Sequence, residues 1–137
     1  MPRRCSPTRR FAPLTSASRP APSAVVVAVP AFLLVVTTVG QRDEADRLGR
    51  ALVERGLAAC AQISAIDSYY AWQGEVHHDD EFRVLFKVAA SAYDEAERTI
   101  RELHSYELPA IHAIAVERAH EPSGAWVAAN STPRSDL

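Results

Sequence analysis

Residues 57–76, LAACAQISAIDSYYAWQGEV, read as one extended segment that ends in a tight turn at Gln73 and Gly74. The segment is rich in β-branched and aromatic residues. At ~3.3 Å per residue, the part from Ala59 to Trp72 would span on the order of 45 Å, whereas most strands have only ~5–6 residues. A strand of this length exceeds what a small domain can cover, so we expect it to leave its own sheet and pair within an oligomer.

The apolar positions of this segment change parity partway along it. From Ala59 to Ala65 every second residue is alanine or isoleucine, whereas Ile66, Tyr70 and Trp72 occupy the other set of positions. Side chains alternate between the two faces of a strand, so a change of parity predicts a β-bulge or a bend.

Regular elements are predicted on both sides of this segment. Residues 31–39 form a short continuous apolar run, which is typical of a buried strand. Residues 42–56 show helical spacing and end at a glycine, where a left-handed residue is favoured. After the long segment we predict a loop at 73–80 and a strand at 81–89, which the longer strand overhangs. The remaining predicted elements are a helix capped by Ser91 and reaching residue 103, a strand at 111–117 and a helix at 122–130.

This order of elements predicts an α+β, ferredoxin-like βαββαβ fold with an antiparallel sheet and a short C-terminal helix. Two helices would cover one face of the four-stranded sheet. Apolar residues occupy both parities of several strands, so we expect the second face to meet another subunit.

Charge divides the 137-residue chain into two parts. The first 41 residues carry five arginines and no acidic residue, and the remainder carries ten basic against seventeen acidic residues. An acidic body argues against nucleic acid as a partner, because phosphate binding needs clustered lysine and arginine. The apolar run at residues 24–36 is too short to span a membrane.

The predicted domain organisation has three parts. Residues 1–28 form a basic Pro/Ala/Arg-rich tail of disordered composition, residues 29–131 the folded domain, and residues 132–137 a disordered end. The tail has the character of a targeting segment or of a mis-assigned start. The two cysteines, Cys5 and Cys60, do not make a disulfide framework, which favours a cytoplasmic protein.

Several motifs give the chain a family resemblance. They are VVTTVG at 35–40, ALVERGLAACAQI at 51–63, SYYAWQGEV at 68–76, EFRVLFKV at 81–88, ELHSYELPAI at 102–111 and AWVAANS at 125–131. In this order and spacing the chain resembles the CutA divalent-cation tolerance proteins over about residues 31–131. The resemblance implies a ferredoxin-like homotrimer with a role in tolerance of divalent metals, copper especially. It implies no catalytic reaction, so we expect a protein that is not an enzyme and requires no cofactor.

The chain departs from the family at positions that are associated with copper in some bacterial members. The corresponding residues here are Thr37, Leu103 and His104, of which only His104 keeps the family type. Ser105 replaces a usual proline, and Ser123 a usual aromatic residue. The resemblance therefore does not carry a complete copper site to this chain.

Four residues are candidate ligands for copper or another divalent cation, since these metals prefer imidazole and thiolate: His104, Cys60, His77 and His78. His77 and His78 lie with two aspartates in the predicted loop, for which a solvated polar loop is the plainer interpretation. Cys60 is equally a small packed residue, and His104 a partner for helix-terminal carbonyls. No closed metal spacing occurs, so the sequence predicts weak binding between elements or subunits.

Tyr69, Tyr70 and Trp72 are predicted to pack in a trimer interface, with the wall of a ligand site as the alternative. The alternative to a role in metal tolerance is a PII-like small-ligand sensor or a scaffold trimer. PII-like sensors carry a long loop between the second and third strands. Here that connection is short, which weighs against a sensor.

Overall fold

The computed structural model describes residues 29–134. The tail at 1–28, Cys5 and residues 135–137 lie outside the described residues. The elements follow in the order β1 (Phe32–Val39), α1 (Arg42–Glu54), β2 (Cys60–Trp72), β3 (Glu75–Val88), α2 (Tyr93–Leu103), β4 (Ile111–Val116) and α3 (Glu121–Asn130), with a 3-10 turn at Ala90–Ala92 before α2. This confirms the predicted order of strands and helices.

The four strands form one antiparallel sheet in the order β2-β3-β1-β4. Strand β1 is central and pairs with both β3 and β4. Val35, Val36 and Thr37 are all buried on it, as the continuous apolar run predicted. None of the three α-helices within residues 29–134 has both the length and the apolar composition needed to span a bilayer.

Helices α1 and α2 cover one face of the sheet. Ala45, Leu48 and Leu52 of α1 and Ile100 of α2 are buried against β1 and β3. Gly56 has φ 70° and ends α1, as predicted, because its left-handed conformation lets the N–H of Leu57 reach the carbonyl of Leu52. Helix α2 begins later than predicted: Ala92 is its N-cap and no side chain caps it. Ser91 is not the cap, because it lies inside the 3-10 turn.

Helix α3 forms a second, smaller core. Its Val127 is buried with Phe32 and Ala59. Directly after the helix, the buried Ser131 hydroxyl accepts a hydrogen bond from the Ala89 N–H (2.8 Å) and donates one to the Leu57 carbonyl (2.6 Å). These two bonds fix the end of α3 to the entrances of β2 and α2.

The hairpin of β2 and β3 differs from the prediction in three respects. The strands pair without interruption from Cys60 with Lys87 to Trp72 with Glu75, so the predicted bulge is wrong. Both strands extend together, so neither overhangs the other. The predicted loop at 73–80 is also wrong, because β3 begins at Glu75 and only Gln73 and Gly74 form the turn.

The physical reason for the long β3 is the geometry of that turn. Gln73 and Gly74 both have positive φ, 51° and 78°, as in the type I′ turns whose twist matches that of paired strands. The polar residues that follow therefore continue the ladder. The change of parity in β2 has a different cause from a bulge: the two ends of the strand have apolar contacts on opposite faces of the sheet. Ala61 and Ile63 pack under α1 on one face, whereas Ile66, Tyr70 and Trp72 line a cleft on the other.

Candidate functional site

The candidate site is the outer part of the hairpin, residues 67–80, here called the hairpin arm. Strand β1 pairs with β3 only from Phe82 onward, so the two strands of the arm pair only with each other among residues 29–134. Two histidines lie in the arm, each stacked on a tyrosine of β2. The ring centroids of Tyr69 and His78 are 4.3 Å apart, and those of Tyr70 and His77 are 5.5 Å apart.

Alternation along the strands places these two histidines on opposite faces of the arm. The first, called the His78 face, also carries Asp67 and Asp80, which are directly opposite each other in the register. His78 Nε2 lies 3.3 Å from Asp67 Oδ1. One ligand atom from each of the three side chains lies within 4.8 Å of the other two, and all three side chains are exposed.

The second face, called the His77 face, carries Asp79, whose carboxylate is already engaged. The Tyr70 hydroxyl donates a short hydrogen bond to Asp79. That bond, with smaller contributions from desolvation and from the charges of Asp79 and Glu81, raises the pKa of Tyr70 above its usual value. His77 therefore lies beside a tyrosine–carboxylate pair and not beside a free pair of carboxylates.

His104 occupies a different place, at the end of α2. Its Nε2–H donates to the Thr38 carbonyl of β1 (2.8 Å), and its Nδ1 accepts from the Tyr106 N–H (3.1 Å). Both ring nitrogens are engaged, so a metal could bind there only by displacing one of these bonds. Next to it, the N–H (3.2 Å) and hydroxyl (2.6 Å) of Ser105 donate to the buried Glu44 carboxylate. The interpretation of His104 as a partner for helix carbonyls needs one correction, because the carbonyl that it contacts belongs to β1.

A cleft of about 660 Å³ runs along the arm. Its lining includes Tyr70 and Trp72 of the arm together with Tyr106 and Leu108 from the segment after α2. The Tyr106 hydroxyl donates to Glu81 Oε2 at 2.7 Å. Desolvation of the phenol, followed by this hydrogen bond, raises the pKa of Tyr106 well above its usual value.

Cys60 lies at the opposite end of β2, half-buried, in a groove of about 990 Å³ that Arg47, Arg50 and Trp126 also line. It pairs with Lys87, which lies nine residues along β3 from His78. That separation corresponds to roughly 30 Å at ~3.3 Å per residue. Cys60 and the arm histidines are therefore not brought together within one chain.

The two remaining positions of the copper-associated set have no ligand character here. The Thr37 hydroxyl is buried in the core and has no hydrogen-bond partner within residues 29–134. Leu103 is an exposed apolar residue at the end of α2. Of the four sequence-predicted ligands, only His78 is gathered with other ligand side chains. Its partner Asp67 was missed, although a two-residue turn at Gln73 and Gly74 places it opposite Asp80.

Comparisons with known proteins agree on one family. A family model described as the CutA1 divalent ion tolerance protein matches residues 33–130. The divalent-cation tolerance protein CutA of Thermotoga maritima is 38% identical over 86 residues, which are 63% of this chain and 85% of that protein. The structure of CutA1 from the psychrotrophic bacterium Shewanella sp. SIB1 matches with a TM-score of 0.72 at 34% identity, covering 74% of this chain and 96% of that one. The structure of the periplasmic divalent cation tolerance protein CutA from Archaeoglobus fulgidus matches with a TM-score of 0.71 at 29% identity, covering 73% and 98%.

Proposed function

The chain belongs to the CutA1 divalent ion tolerance protein family, and from this we propose that it is a non-catalytic homotrimer that acts in the response to divalent metal ions. It binds copper or another divalent cation weakly, and the ion is not required for folding. The proposed fold is ferredoxin-like. The βαββαβ order and the strand order β2-β3-β1-β4 support it.

The hairpin arm is the observation that carries the proposed assembly. A two-stranded hairpin alone is marginally stable in water, and the two strands of the arm pair with no third strand within residues 29–134. Its apolar side chains are nevertheless exposed, among them Val76 at 79% and Tyr69 at 73%. A neighbouring subunit would bury them, as the interface roles proposed for Tyr69, Tyr70 and Trp72 require.

Mass measurement in solution tests the trimer. We expect a trimer at micromolar concentration, and Trp72→Ala should weaken it by ~3–5 kcal/mol if the ring is fully buried between subunits. Val53→Ala on α1 is a matched control, because Val53 and Trp72 are equally exposed in the single chain, 42% and 41%. A monomer at micromolar concentration would overturn the proposed assembly.

Histidines and carboxylates of the arm support the proposed binding of a divalent cation. His78 is exposed and His77 partly exposed, whereas His104 has both ring nitrogens hydrogen-bonded. Since an imidazole binds metal only when neutral, copper binding should be weaker at pH 5 than at pH 7. Copper calorimetry at both pH values, on the wild type and on His104→Ala, tests this. Nanomolar binding abolished by His104→Ala would place the site at His104 and refute binding at the arm.

A PII-like sensor is the less supported alternative, because the hairpin turns in only two residues, Gln73 and Gly74, instead of a long loop. We also propose a cytoplasmic location. The chain has only two cysteines, Cys5 and Cys60, and so lacks the disulfide framework that is common in oxidising compartments. Cell fractionation tests this, and recovery of the protein from the periplasm would contradict it.

A further inference from the structure

We propose that Asp67, His78 and Asp80 form a binding site for one divalent transition ion of the zinc type on the His78 face of the hairpin arm. This inference rests on the proposed function for the class of ligand, a divalent cation. It goes further by assigning the ion to one face of one hairpin and to three named side chains.

The first argument is electrostatic. Asp67 and Asp80 are direct cross-strand partners, and like charges in that position destabilise a strand pair. Within residues 29–134, His78 is the only basic side chain that forms an ion pair with either carboxylate. A divalent cation between the strands would neutralise both carboxylates and convert their repulsion into attraction.

The second argument is the set of donor atoms. One imidazole nitrogen with carboxylate oxygens suits zinc and related ions, whereas magnesium and calcium prefer oxygen ligands alone. Two ligands at ~2.0–2.1 Å from a tetrahedral ion lie about 3.3–3.4 Å apart. His78 Nε2 and Asp67 Oδ1 are already 3.3 Å apart. The third ligand atom, from Asp80, is within 4.8 Å of both and can approach by rotation of an exposed side chain.

The third argument is the fixed orientation of the imidazole. The ring of His78 is stacked on that of Tyr69 with an interplanar angle of 11°. Stacking restricts the plane of the ring while its Nε2 edge faces Asp67. In the single chain all three ligand side chains are exposed, which leaves the remaining coordination position to solvent there.

The opposite face provides the control. His77 is also stacked on a tyrosine, but its neighbour Asp79 accepts the hydrogen bond of Tyr70. On that face Glu81 likewise accepts from Tyr106. His77 and Asp79 thus have the same residue types as His78 and Asp80 at adjacent positions, but His77 does not lie beside a cross-strand pair of aspartates.

Zinc chloride titrations of the full-length protein at pH 7 test the site. We expect about one zinc ion per chain, with an affinity that His78→Gln and Asp80→Asn each lower at least tenfold, since even indirect supports of a metal site cost that much. Asp79→Asn, on the opposite face, should change it less than about twofold. In NMR spectra of the wild type, zinc should shift the imidazole signals of His78 and leave those of His77 in place.

The outcomes separate this inference from the proposed function. Equal losses from His77→Gln and His78→Gln would show diffuse binding and overturn the site, while copper binding by the trimer could still hold. Absence of zinc binding to the wild type would overturn the site whatever copper does. Melting curves without metal show whether each variant is folded. If His78→Gln does not fold, Asp80→Asn still tests the site independently.

Discussion

Replacement of Tyr106 by phenylalanine should destabilise the protein through one hydrogen bond. The Tyr106 hydroxyl donates to Glu81 Oε2 at 2.7 Å, and it is the only hydrogen bond that the Glu81 carboxylate makes within residues 29–134. Glu81 is only 8% exposed, whereas Tyr106 is 37% exposed. Phenylalanine keeps the ring and removes only the donor, so the effect can be assigned to the lost bond.

The expected cost follows from the charge and burial of the two partners. A hydrogen bond to a charged group contributes ~1.5–3 kcal/mol. Water can partly replace the lost hydroxyl, because the edge of Tyr106 is open to the cleft. We therefore expect the free energy of unfolding to fall by the lower part of that range, about 1.5–2 kcal/mol.

Urea unfolding at pH 7 and at one fixed protein concentration measures this effect, since the stability of an oligomer depends on concentration. A fall of this size lowers the urea midpoint by about 1 M for an m-value near ~2 kcal/mol/M. Tyr69→Phe is the matched control. In the single chain its side chain is 73% exposed, and its hydroxyl has no hydrogen bond within the described residues, so removal of that hydroxyl should change the free energy of unfolding by less than ~0.5 kcal/mol.

A double-mutant cycle with Glu81→Gln gives the decisive comparison. If Tyr106 acts through Glu81, the two substitutions are non-additive by roughly 1 kcal/mol, as for groups in direct contact. Additive effects, or a Tyr106→Phe change no larger than that of Tyr69→Phe, would refute the reasoning.

Three further outcomes are expected. The free energy of unfolding should fall as the pH rises above ~10. The raised pKa keeps Tyr106 neutral in the folded protein, whereas in the unfolded chain Tyr106 loses its phenolic proton. Unfolding measured from pH 8 to 11 should therefore show a shallower fall in stability for Tyr106→Phe than for the wild type. Ser131→Ala should cost ~2–3 kcal/mol, since a part-buried backbone donor and a buried backbone acceptor both lose their partner, and thermal unfolding at pH 7 measures this cost. Gln73→Asn should stabilise the hairpin by roughly 0.5 kcal/mol, because asparagine tolerates the left-handed conformation of the turn better than glutamine; an unchanged or lower urea midpoint would contradict this.

The parts of the fold that could be predicted are those with a local signal. The apolar run at 31–39 identified the central strand, and Gly56 identified the end of α1. The outer hairpin lacked such a signal. HHDD at 77–80 is polar and has low strand propensity, so the sequence alone predicts a loop there. Its strand conformation comes from pairing with β2, which only the register across the turn determines.

The candidate site shows the same limit. His77 and His78 were recognisable as ligand types, but Asp67 lies eleven positions before His78 and joins it only across the hairpin. The contacts of His104 are also non-local, because the Thr38 carbonyl lies 66 residues away in the sequence. Residue types could be read from the chain, whereas the partners of each side chain depended on the strand register and on the docking of α2.

The two-residue turn therefore determines more than the length of the hairpin. Since side chains alternate along each strand, a shift of one residue in the pairing would move one strand's side chains to the opposite face. Asp67 would then no longer lie opposite Asp80, and His78 would lose its carboxylate neighbours. Gln73 and Gly74 fix the register through their positive φ angles, far from any ligand atom. The identity of the residues in the turn thus decides which histidine lies beside Asp67 and Asp80, and an insertion in the turn should remove the proposed metal binding at the His78 face even though every ligand side chain is retained.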